Sequence, residues 1–504
     1  MNKLIYNALS GILQKLLTAI LVFISVPVFI TKLGVDNYGL FTILSIIGNL
    51  NIFANLGLNT SLLVYLSKQN KGRQSDCDII ANFLFSLGFT GFITTAIWVF
   101  RAGILTSVLG ISENDFSIAA SLLSWLLGAN CFLFIGQLFI AILDSQQKIA
   151  ITNLCQFFYN LVYWIGLIAV VSLGGSFREI GIVLFISAFL WFLLMGYWAK
   201  RTWGRMAMDF TFREIGISIK KQLKYGSKVY LSGLCGFMFE PLSKLLLSHF
   251  IGLSAVALFE IASKIRNNIN DLIIKGLYPL NPYIAATPVS ERLNNQIVDL
   301  SQKIQLIVVQ GGILISFLIP YVLDLWIREE SLADLGLFTI VLTLNLLLLS
   351  PPSLPIYLYL LNKDMAEKTA YIQMSSVIAN ILVFLLLYRL VGVYAILLSN
   401  LAGYLSSFLL CKYYQYRILH IPIQKEVRYL LKILLMGIST LAFNYGVYLI
   451  IGKGILNFVV FPVTTCLLTI IQVRYYNLIK EADLNNYFRT LPYFRSFLYK
   501  IFVA

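Results

Sequence analysis

The sequence predicts an all-α polytopic membrane protein with about 14 transmembrane helices, arranged as two pseudo-symmetric six-helix lobes around a central cavity plus a C-terminal helix pair. Composition, a series of long apolar segments and an internal repeat support this prediction. The chain has 504 residues, of which 59% are hydrophobic and 12% charged, and its mean hydropathy is +0.82. Because soluble domains carry about 25% charged residues, this composition excludes a water-soluble protein.

The apolar segments give the number of spans. A bilayer core about 30 Å thick requires about 20 apolar residues of helix. The qualifying segments are approximately 10–31, 38–66, 79–100, 117–143, 149–173, 180–198, 225–250, 252–284, 305–326, 336–361, 369–390, 392–412, 429–451 and 455–475. Spans 11 and 12 almost abut, so thirteen is the alternative count. No small-residue cleavage site follows the first apolar segment, which we therefore interpret as a retained span.

The basic residues predict the orientation. Of 38 lysines and arginines, 27 lie in loops on the side of the termini and six in the opposite loops. Because cytoplasmic loops are enriched in these residues, both termini are expected to be cytoplasmic. The same asymmetry accounts for most of the net charge of +15, so a nucleic-acid partner is not needed to explain it. Residues 199–224 form a basic, amphipathic cytoplasmic linker that is expected to lie on the anionic inner leaflet.

An internal repeat predicts the domain organisation. Residues 33–43 align with residues 251–261 at a constant offset of 218, with matching glycine, leucine, phenylalanine and isoleucine positions. Six spans per half give both halves one orientation, and such parallel repeats enclose a substrate path. The predicted domains are an N-lobe at 1–198, the linker at 199–224, a C-lobe at 225–414, spans 13 and 14 within 415–476, and a basic cytoplasmic tail at 477–504.

Ionisable residues inside spans 7 and 8 are the candidate functional groups. At 100° per residue, most polar side chains of span 8 fall in one stripe about 100° wide. Intramembrane charges usually face a bundle interior or water, so the stripe predicts a wet cavity wall. The alternative is a set of structural ion pairs, because each acid precedes a base by four residues. The candidates are Glu240, Lys244, Glu260, Lys264, Asn267, Asn268, Asp271 and Lys275.

The charges inside the spans predict the sign of the substrate. With Lys15 of span 1 and Arg266, the spans hold five basic and three acidic residues, a surplus of two positive charges. A cationic cavity of low dielectric favours an anionic substrate, for which pyrophosphate is a candidate group. Arg266 points away from the stripe, and packing against another helix is the only role predicted for it.

Other polar residues of the sequence are further candidate sites. Asn51, Asn55 and Asn59 in span 2 share a helical face, either as a sugar-contacting wall or as interhelical hydrogen-bond donors. His249, at an outer span end, is interpreted as interfacial rather than as a proton relay. The motif Asp76-Cys77-Asp78 resembles a metal-binding DxD sequence but is expected to be a solvated cytoplasmic loop. Six scattered cysteines and the absence of a P-loop predict no metal, cofactor or ATP hydrolysis.

Three stretches together resemble the Wzx-type polysaccharide flippases of the MOP superfamily, which also holds the MurJ and MATE transporters. They are residues 33–41 with Leu56-Gly57-Leu58, then Tyr225-Gly226, and then residues 257–264 leading to Tyr278-Pro279. The resemblance implies a non-enzymatic protein of the bacterial inner membrane that flips undecaprenyl-pyrophosphate-linked oligosaccharide for O-antigen, lipopolysaccharide or similar glycans. It also implies basic cavity residues at Lys15 and Lys264.

The mechanism expected from this resemblance is alternating access. Lys15, Lys264 and either Lys244 or Lys275 would bind pyrophosphate, while Glu240, Glu260 or Asp271 would couple an ion to the return step. Prolines in spans 1 and 10, Pro27, Pro351, Pro352 and Pro355, are candidate flex points. Expected partners are the lipid-linked glycan, membrane lipids and a polymerase or chain-length-regulator complex. The alternatives are a MATE-like exporter of small cations and, in another class, a membrane glycan polymerase or ligase.

Overall fold

The computed structural model describes residues 2–48, 57–277, 284, 287–327, 334–363, 365–420, 423–452, 454, 456–476 and 478. Within these residues every regular element is helical, which confirms the predicted all-α fold class. The first seven long helices are α1 Asn2–Leu33, α2 Val35–Gly48, α3 Leu58–Lys68, α4 Arg73–Val99, α5 Glu113–Ser145, α6 Ile149–Ser172 and α7 Phe177–Trp203. They are followed by α8 Phe212–Phe250, α9 Leu253–Leu277, α10 Glu291–Trp326, α11 Leu335–Asn362, α12 Ala366–Val391, α13 Ala395–Leu419, α14 Ile423–Ile451 and α15 Asn457–Tyr476.

Length and apolar composition identify the membrane-spanning segments. Among the described residues, ten segments are long and apolar enough to cross a bilayer, and one of them, Glu367–Leu419, contains both α12 and α13. These two helices are separated by the single 3₁₀ turn Gly392–Tyr394, where Gly392 has a positive φ of 57°. The chain is therefore a multi-pass membrane protein, and the count of fourteen spans stays a prediction.

Side-chain caps define several helix starts. Ser176 and Thr211 each form a capping box with a glutamate three residues later, at the starts of α7 and α8. Such caps satisfy backbone N–H groups that have no partner within the helix. The cap at Thr211 has a consequence for the predicted linker, because residues 212–224 form the first turns of α8 rather than a separate element.

The repeated segments occupy equivalent positions in the fold. Gly34 joins α1 to α2, Gly252 joins α8 to α9, and both have positive φ angles, 85° and 130°. The two junctions also touch each other, since a Cβ on Gly39 would lie 2.0 Å from the carbonyl oxygen of Leu253. The repeat in the sequence thus marks two helix-turn-helix junctions that pack closely because small residues are present.

The chain divides into two compact units. The first comprises Met1–Ile261 with Val377–Ser399, and the second comprises Ala262–Ser376 with Asn400–Ala504. Packing therefore groups α8 with α1 to α7, and the boundary falls inside α9. The predicted lobe limits describe repeat symmetry instead, and they stay a prediction.

In the first unit, α5 and α7 form the central helix pair. Gly136 of α5 lies against the ring of Trp191, where a Cβ would approach a ring carbon to 2.3 Å. Leu138, Ile142 and Met195 extend this buried cluster toward the end of α7. Close approach at small residues is the usual basis of helix packing in membranes, where lipid removes much of the hydrophobic driving force.

In the second unit, α10 packs with α11 and with the C-terminal pair α14 and α15. The pair is linked by amide hydrogen bonds, among them Asn444 Nδ2 to Thr465 Oγ1 at 2.9 Å. Gln310 of α10 donates to Gln472 of α15 at 3.1 Å. The prolines Pro351, Pro352 and Pro355 lie inside α11 and are buried, and Pro27 lies inside α1.

Candidate functional site

Among the described residues of the first unit, one lysine lies between two carboxylates. Lys244 Nζ lies 2.9 Å from Oε1 of Glu240 and 2.5 Å from Oε2 of Glu260. The lysine side chain is 12% exposed, and the glutamates are 26% and 15% exposed. We call Glu240, Lys244 and Glu260 the charged triad. Its three residues carry a formal charge of −1, because two carboxylates share one ammonium group.

The hairpin of α8 and α9 brings the triad together. α8 ends at Phe250 and α9 begins at Leu253, so Lys244 precedes the two-residue turn by about as many residues as Glu260 follows it. Residues equidistant from a tight turn face each other in an antiparallel pair. The pair of Glu240 with Lys244 was expected from its spacing of four residues. The contact of Lys244 with Glu260 was missed, although equal distances from the turn would have predicted it.

Pro241 lies within α8 directly after Glu240. A proline inside a helix removes one backbone hydrogen bond and clashes with the preceding turn, so this position weakens the helix at the triad. Pro241 was not among the predicted flex points, although a proline next to an acidic residue of a predicted span is a signal that would have identified it.

The polar stripe of α9 lies on the less buried side of that helix. Lys264 and Asn267 are half-buried, and Asn268 and Asp271 are exposed, whereas Phe259, Ala262 and Ser263 are fully buried. The side chain of Lys275 lies outside the described part of the structure, although its backbone belongs to α9. That this side of α9 faces water stays a prediction.

Arg266 occupies the buried side of α9 with 2% exposure. Its Nε and Nη2 donate to Oδ1 of Asn267 at 3.2 and 3.1 Å, and its Nη1 donates to Oδ1 of Asn400 at 3.3 Å. These bonds give Arg266 a structural role. The sequence had predicted only that it packs against another helix. Asn400 belongs to α13, so the arginine links two helices of the second unit.

Lys15 and the asparagines of span 2 take different positions. Lys15 is exposed on α1. Asn59 is buried, and its Nδ2 donates to Gln137 at 3.4 Å, which fits the interhelical alternative. Asn51 and Asn55 lie outside the described residues. Gly57 has a φ of 72° and precedes α3, so the shared face predicted for the three asparagines would need a helix that continues through this glycine, and it stays a prediction.

The DxD motif is buried, which corrects the expected solvated loop. Asp76 and Asp78 are 7% and 0% exposed in the first turns of α4. Asp76 accepts hydrogen bonds from Trp203 Nε1 at 2.7 Å and from the backbone N–H of Ala207 at 2.9 Å. Asp78 accepts from Ser218 at 2.5 Å and lies 3.5 Å from Lys221 Nζ. The two aspartates at the start of α4 therefore have their hydrogen-bond partners in the linker and α8 rather than in solvent.

Further polar contacts hold the start of α8 against α4. Asn82 Nδ2 donates to Gln222 Oε1 at 3.0 Å, and Arg73 lies 3.1 Å from Glu214. Hydrogen bonds from the backbone and side chain of Thr211 lower the pKa of the Glu214 carboxyl below its usual value. Among the described residues no group of histidine, cysteine and acidic side chains has the geometry of a metal site.

His249 lies at the last turn of α8, exposed and in edge contact with the ring of Phe250. A Cβ on Gly110 would approach the Cα of His249 to 2.9 Å, so the backbone between α4 and α5 packs directly on this helix end. The interfacial interpretation of His249 stays a prediction.

Comparisons with known proteins identify the family and fold. The model of the family described as polysaccharide biosynthesis protein matches residues 4–288. The fold is similar to that of the lipid II flippase MurJ in an inward closed conformation, with a TM-score of 0.72 and 16% identity over 93% of this chain and 99% of that one. It is also similar to an inward-facing multidrug resistance MATE transporter of the MOP superfamily, with a TM-score of 0.66 and 16% identity over 80% of this chain and 94% of that one.

A MATE transporter of Vibrio cholerae gives a TM-score of 0.53 at 15% identity, covering 83% of this chain and 98% of that one. No curated protein matches the sequence. At these identities the structural likenesses establish the fold, and they confirm the MurJ and MATE resemblance that the sequence motifs predicted.

Proposed function

The chain belongs to the polysaccharide biosynthesis protein family, and from this premise we propose that it flips a lipid-linked oligosaccharide across a bacterial inner membrane. The cargo is an undecaprenyl-pyrophosphate-linked O-antigen unit or a similar glycan, carried from the cytoplasmic to the periplasmic leaflet. No bond is made or broken in this step. The observation that carries the proposal is the charged triad, followed along α9 by a polar stripe, within helices of a multi-pass membrane protein.

Ionisable groups inside membrane proteins are costly, and they usually mark a substrate or ion path. We propose Lys15, Lys244, Lys264 and Lys275 as ligands of the pyrophosphate. The amides Asn51, Asn55, Asn267 and Asn268 are proposed contacts of the sugar hydroxyls, and Asn59 is instead assigned to the interhelical hydrogen bond with Gln137. A lipid pyrophosphate and its glycan need both kinds of group, cations for the phosphates and neutral donors for the sugars.

The triad supplies a way to couple substrate to ions. Lys244 is already compensated by Glu240 and Glu260, so a phosphate must compete with two carboxylates for it. A proton or sodium ion that binds either carboxylate weakens this competition and frees Lys244 for the phosphate. Asp271 is a third proposed coupling group. The coupling then follows from differential affinity, as linkage requires.

We further propose that both termini are cytoplasmic and that transport proceeds by alternating access. We also propose that the protein associates with a polymerase or chain-length regulator. The asymmetry of lysine and arginine between loops supports the orientation. The similarity of the fold to flippases and exporters supports transport rather than catalysis.

Deletion of the gene followed by complementation tests the function. Deletion is expected to abolish surface glycan and to accumulate the finished lipid-linked unit, whose glycan identifies the substrate. Wild-type protein and a Lys264→Arg variant should restore surface glycan, because both keep a cation on the stripe. Lys264→Ala should not restore it at an equal membrane level.

Lys220→Ala is the matched control, because Lys220 is an exposed lysine of α8 outside the proposed site. Normal surface glycan from Lys264→Ala would remove this residue from the binding role. An unchanged lipid-linked pool in the deletion strain would refute the function itself.

The negative charge of the triad favours a second candidate, a MATE-like exporter of small organic cations. Two carboxylates around one lysine attract cations more than anions. The deletion strain separates the two functions, since a drug exporter changes sensitivity to cationic dyes and leaves the glycan lipids unaltered.

A further inference from the structure

A groove in the first unit opens at the same end of the helices as Asp76 and Asp78. It has a volume of about 1190 Å³ and is lined by α4, α5, the end of α7 and the segment that follows α7. Its interior is apolar, with Phe83 and Leu84 from α4 and Ile142 from α5 among the lining residues. Small-molecule sites measure about 300–1,000 Å³, so this groove suits a longer, chain-like apolar ligand.

Three basic side chains lie at the mouth of the groove. Lys200, Arg201 and Arg205 line it and are exposed. Within the part of the chain that the structure describes, none of the three has a carboxylate within 4 Å, in contrast to Lys221 or Lys244. Arg201 lies over the ring of Trp198 and 3.4 Å from the hydroxyl of Tyr197, the side-chain types found at membrane interfaces.

The mouth is preformed by the buried Asp76. Gly204 ends α7 with a φ of 93°, a conformation that favours glycine, and so turns the chain across the groove. Asp76 then fixes both sides of this turn, through Trp203 Nε1 and the N–H of Ala207. Arg205 lies between these two anchors. The arrangement holds its backbone in place without engaging its charge.

We propose that this groove binds one anionic glycerophospholipid of the inner leaflet, with an acyl chain along α4 and α5 and the phosphate at Lys200, Arg201 and Arg205. Basic pockets between transmembrane helices on the cytoplasmic side are suited to anionic lipid headgroups. The charge complementarity and the long apolar interior select a phospholipid over a soluble phosphate. The location in the inner leaflet rests on the proposed orientation, whereas binding itself does not depend on the transported substrate.

Native mass spectrometry of the full-length protein in detergent tests this site. The probes are dioleoyl phosphatidylglycerol and dioleoyl phosphatidylcholine, which share their acyl chains and differ in net charge. Wild-type protein should retain one phosphatidylglycerol and no phosphatidylcholine. The triple variant Lys200→Gln, Arg201→Gln, Arg205→Gln should bind phosphatidylglycerol roughly a hundredfold more weakly, since each basic residue adds attraction to an anionic lipid.

Two further variants distinguish lipid binding in the groove from nonspecific electrostatic attraction of the lipid to basic residues. A second triple variant removes the same charge from exposed positions of α8 outside the groove, with the changes Arg213→Gln, Lys220→Gln and Lys224→Gln. It should bind phosphatidylglycerol as the wild type does. Leu84→Trp fills the groove and leaves all three cations, and it should lose the lipid. Size-exclusion chromatography and thermal unfolding establish that each variant is folded.

Equal retention of both lipids, equal loss in the two triple variants, or normal binding by Leu84→Trp would each overturn the proposal. One-for-one displacement of phosphatidylglycerol by undecaprenyl phosphate would also overturn it, because the groove would then hold the tail of the transported lipid.

Discussion

At the scale of single residues, the charged triad is held by opposing charges at low exposure. Removing one partner of a buried ion pair costs about 3–5 kcal/mol, because the remaining charge keeps its desolvation cost without its partner. The partial exposure of the triad reduces this cost. Lys244 is the central member, since both glutamates contact it.

Lys244→Met is therefore expected to lower the free energy of unfolding by about 2 kcal/mol. The variant leaves Glu240 and Glu260 close together without their shared cation. Combining it with Glu260→Gln should recover part of the loss, because only one carboxylate then remains. Thermal unfolding of the purified variants in detergent measures both effects. A double variant that is less stable than Lys244→Met would contradict this electrostatic account.

The sequence predicted this site only in part. Spacing alone predicted the ion pair within α8, because residues four apart are neighbours on a helix. It did not predict the burial of Asp76 and Asp78, whose partners Trp203, Ser218 and Lys221 lie more than a hundred residues away. Such contacts depend on tertiary packing, which local spacing does not contain.

At the scale of elements, α8 is fixed at both ends and weakened between them. Its first turns are bonded to α4 through Asp78, Ser218 and Gln222. Its last turn is bonded to the segment between α4 and α5, where Ser248 donates to the carbonyl of Leu109. Pro241 lies between these attachments. The proline is therefore the weakest point of the helix between its two fixed ends.

The accessibility of the polar stripe of α9 to water can be measured directly. In a background without native cysteines, Lys264→Cys and Asp271→Cys should react with a water-soluble thiol reagent. Ile273→Cys should be protected, because Ile273 packs against a buried cluster with Ile304 and Leu346. Mass spectrometry of intact protein after labelling in membranes gives the reacted fraction. Equal protection at all three positions would mean that the stripe is dry protein structure.

Most helices could be predicted from the sequence, because apolar segments of about 20 residues have few alternatives to a spanning helix. The exact helix ends were not predicted where local geometry interrupts or extends a helix. Span 2 was predicted as one continuous helix that includes Gly57. This glycine has a left-handed φ and lies at the N-terminal cap of α3, so α3 begins after it. Span 7 was started at residue 225, whereas the Thr211 capping box starts α8 in the polar linker.

At the scale of the whole molecule, the fold limits the function without specifying it. Flippases and drug exporters share this architecture at about the same level of identity to the present chain. Fold alone does not assign function, so the substrate must be inferred from the ionisable groups within the helices. Family membership favours a glycan-related cargo, and the lysines proposed above supply the charges for its pyrophosphate.

The central claim is that the protein moves a lipid-linked glycan between leaflets, and reconstitution into liposomes tests it most directly. The vesicles contain the lipid-linked oligosaccharide in both leaflets, and a membrane-impermeant glycosidase reports the exposed fraction. We predict that wild-type vesicles expose nearly all of the glycan, whereas Lys264→Ala vesicles and protein-free vesicles expose only the outer-leaflet fraction. Wild-type vesicles in which the inner-leaflet glycan stays protected, under an imposed proton or sodium gradient as well as without one, would contradict the claim.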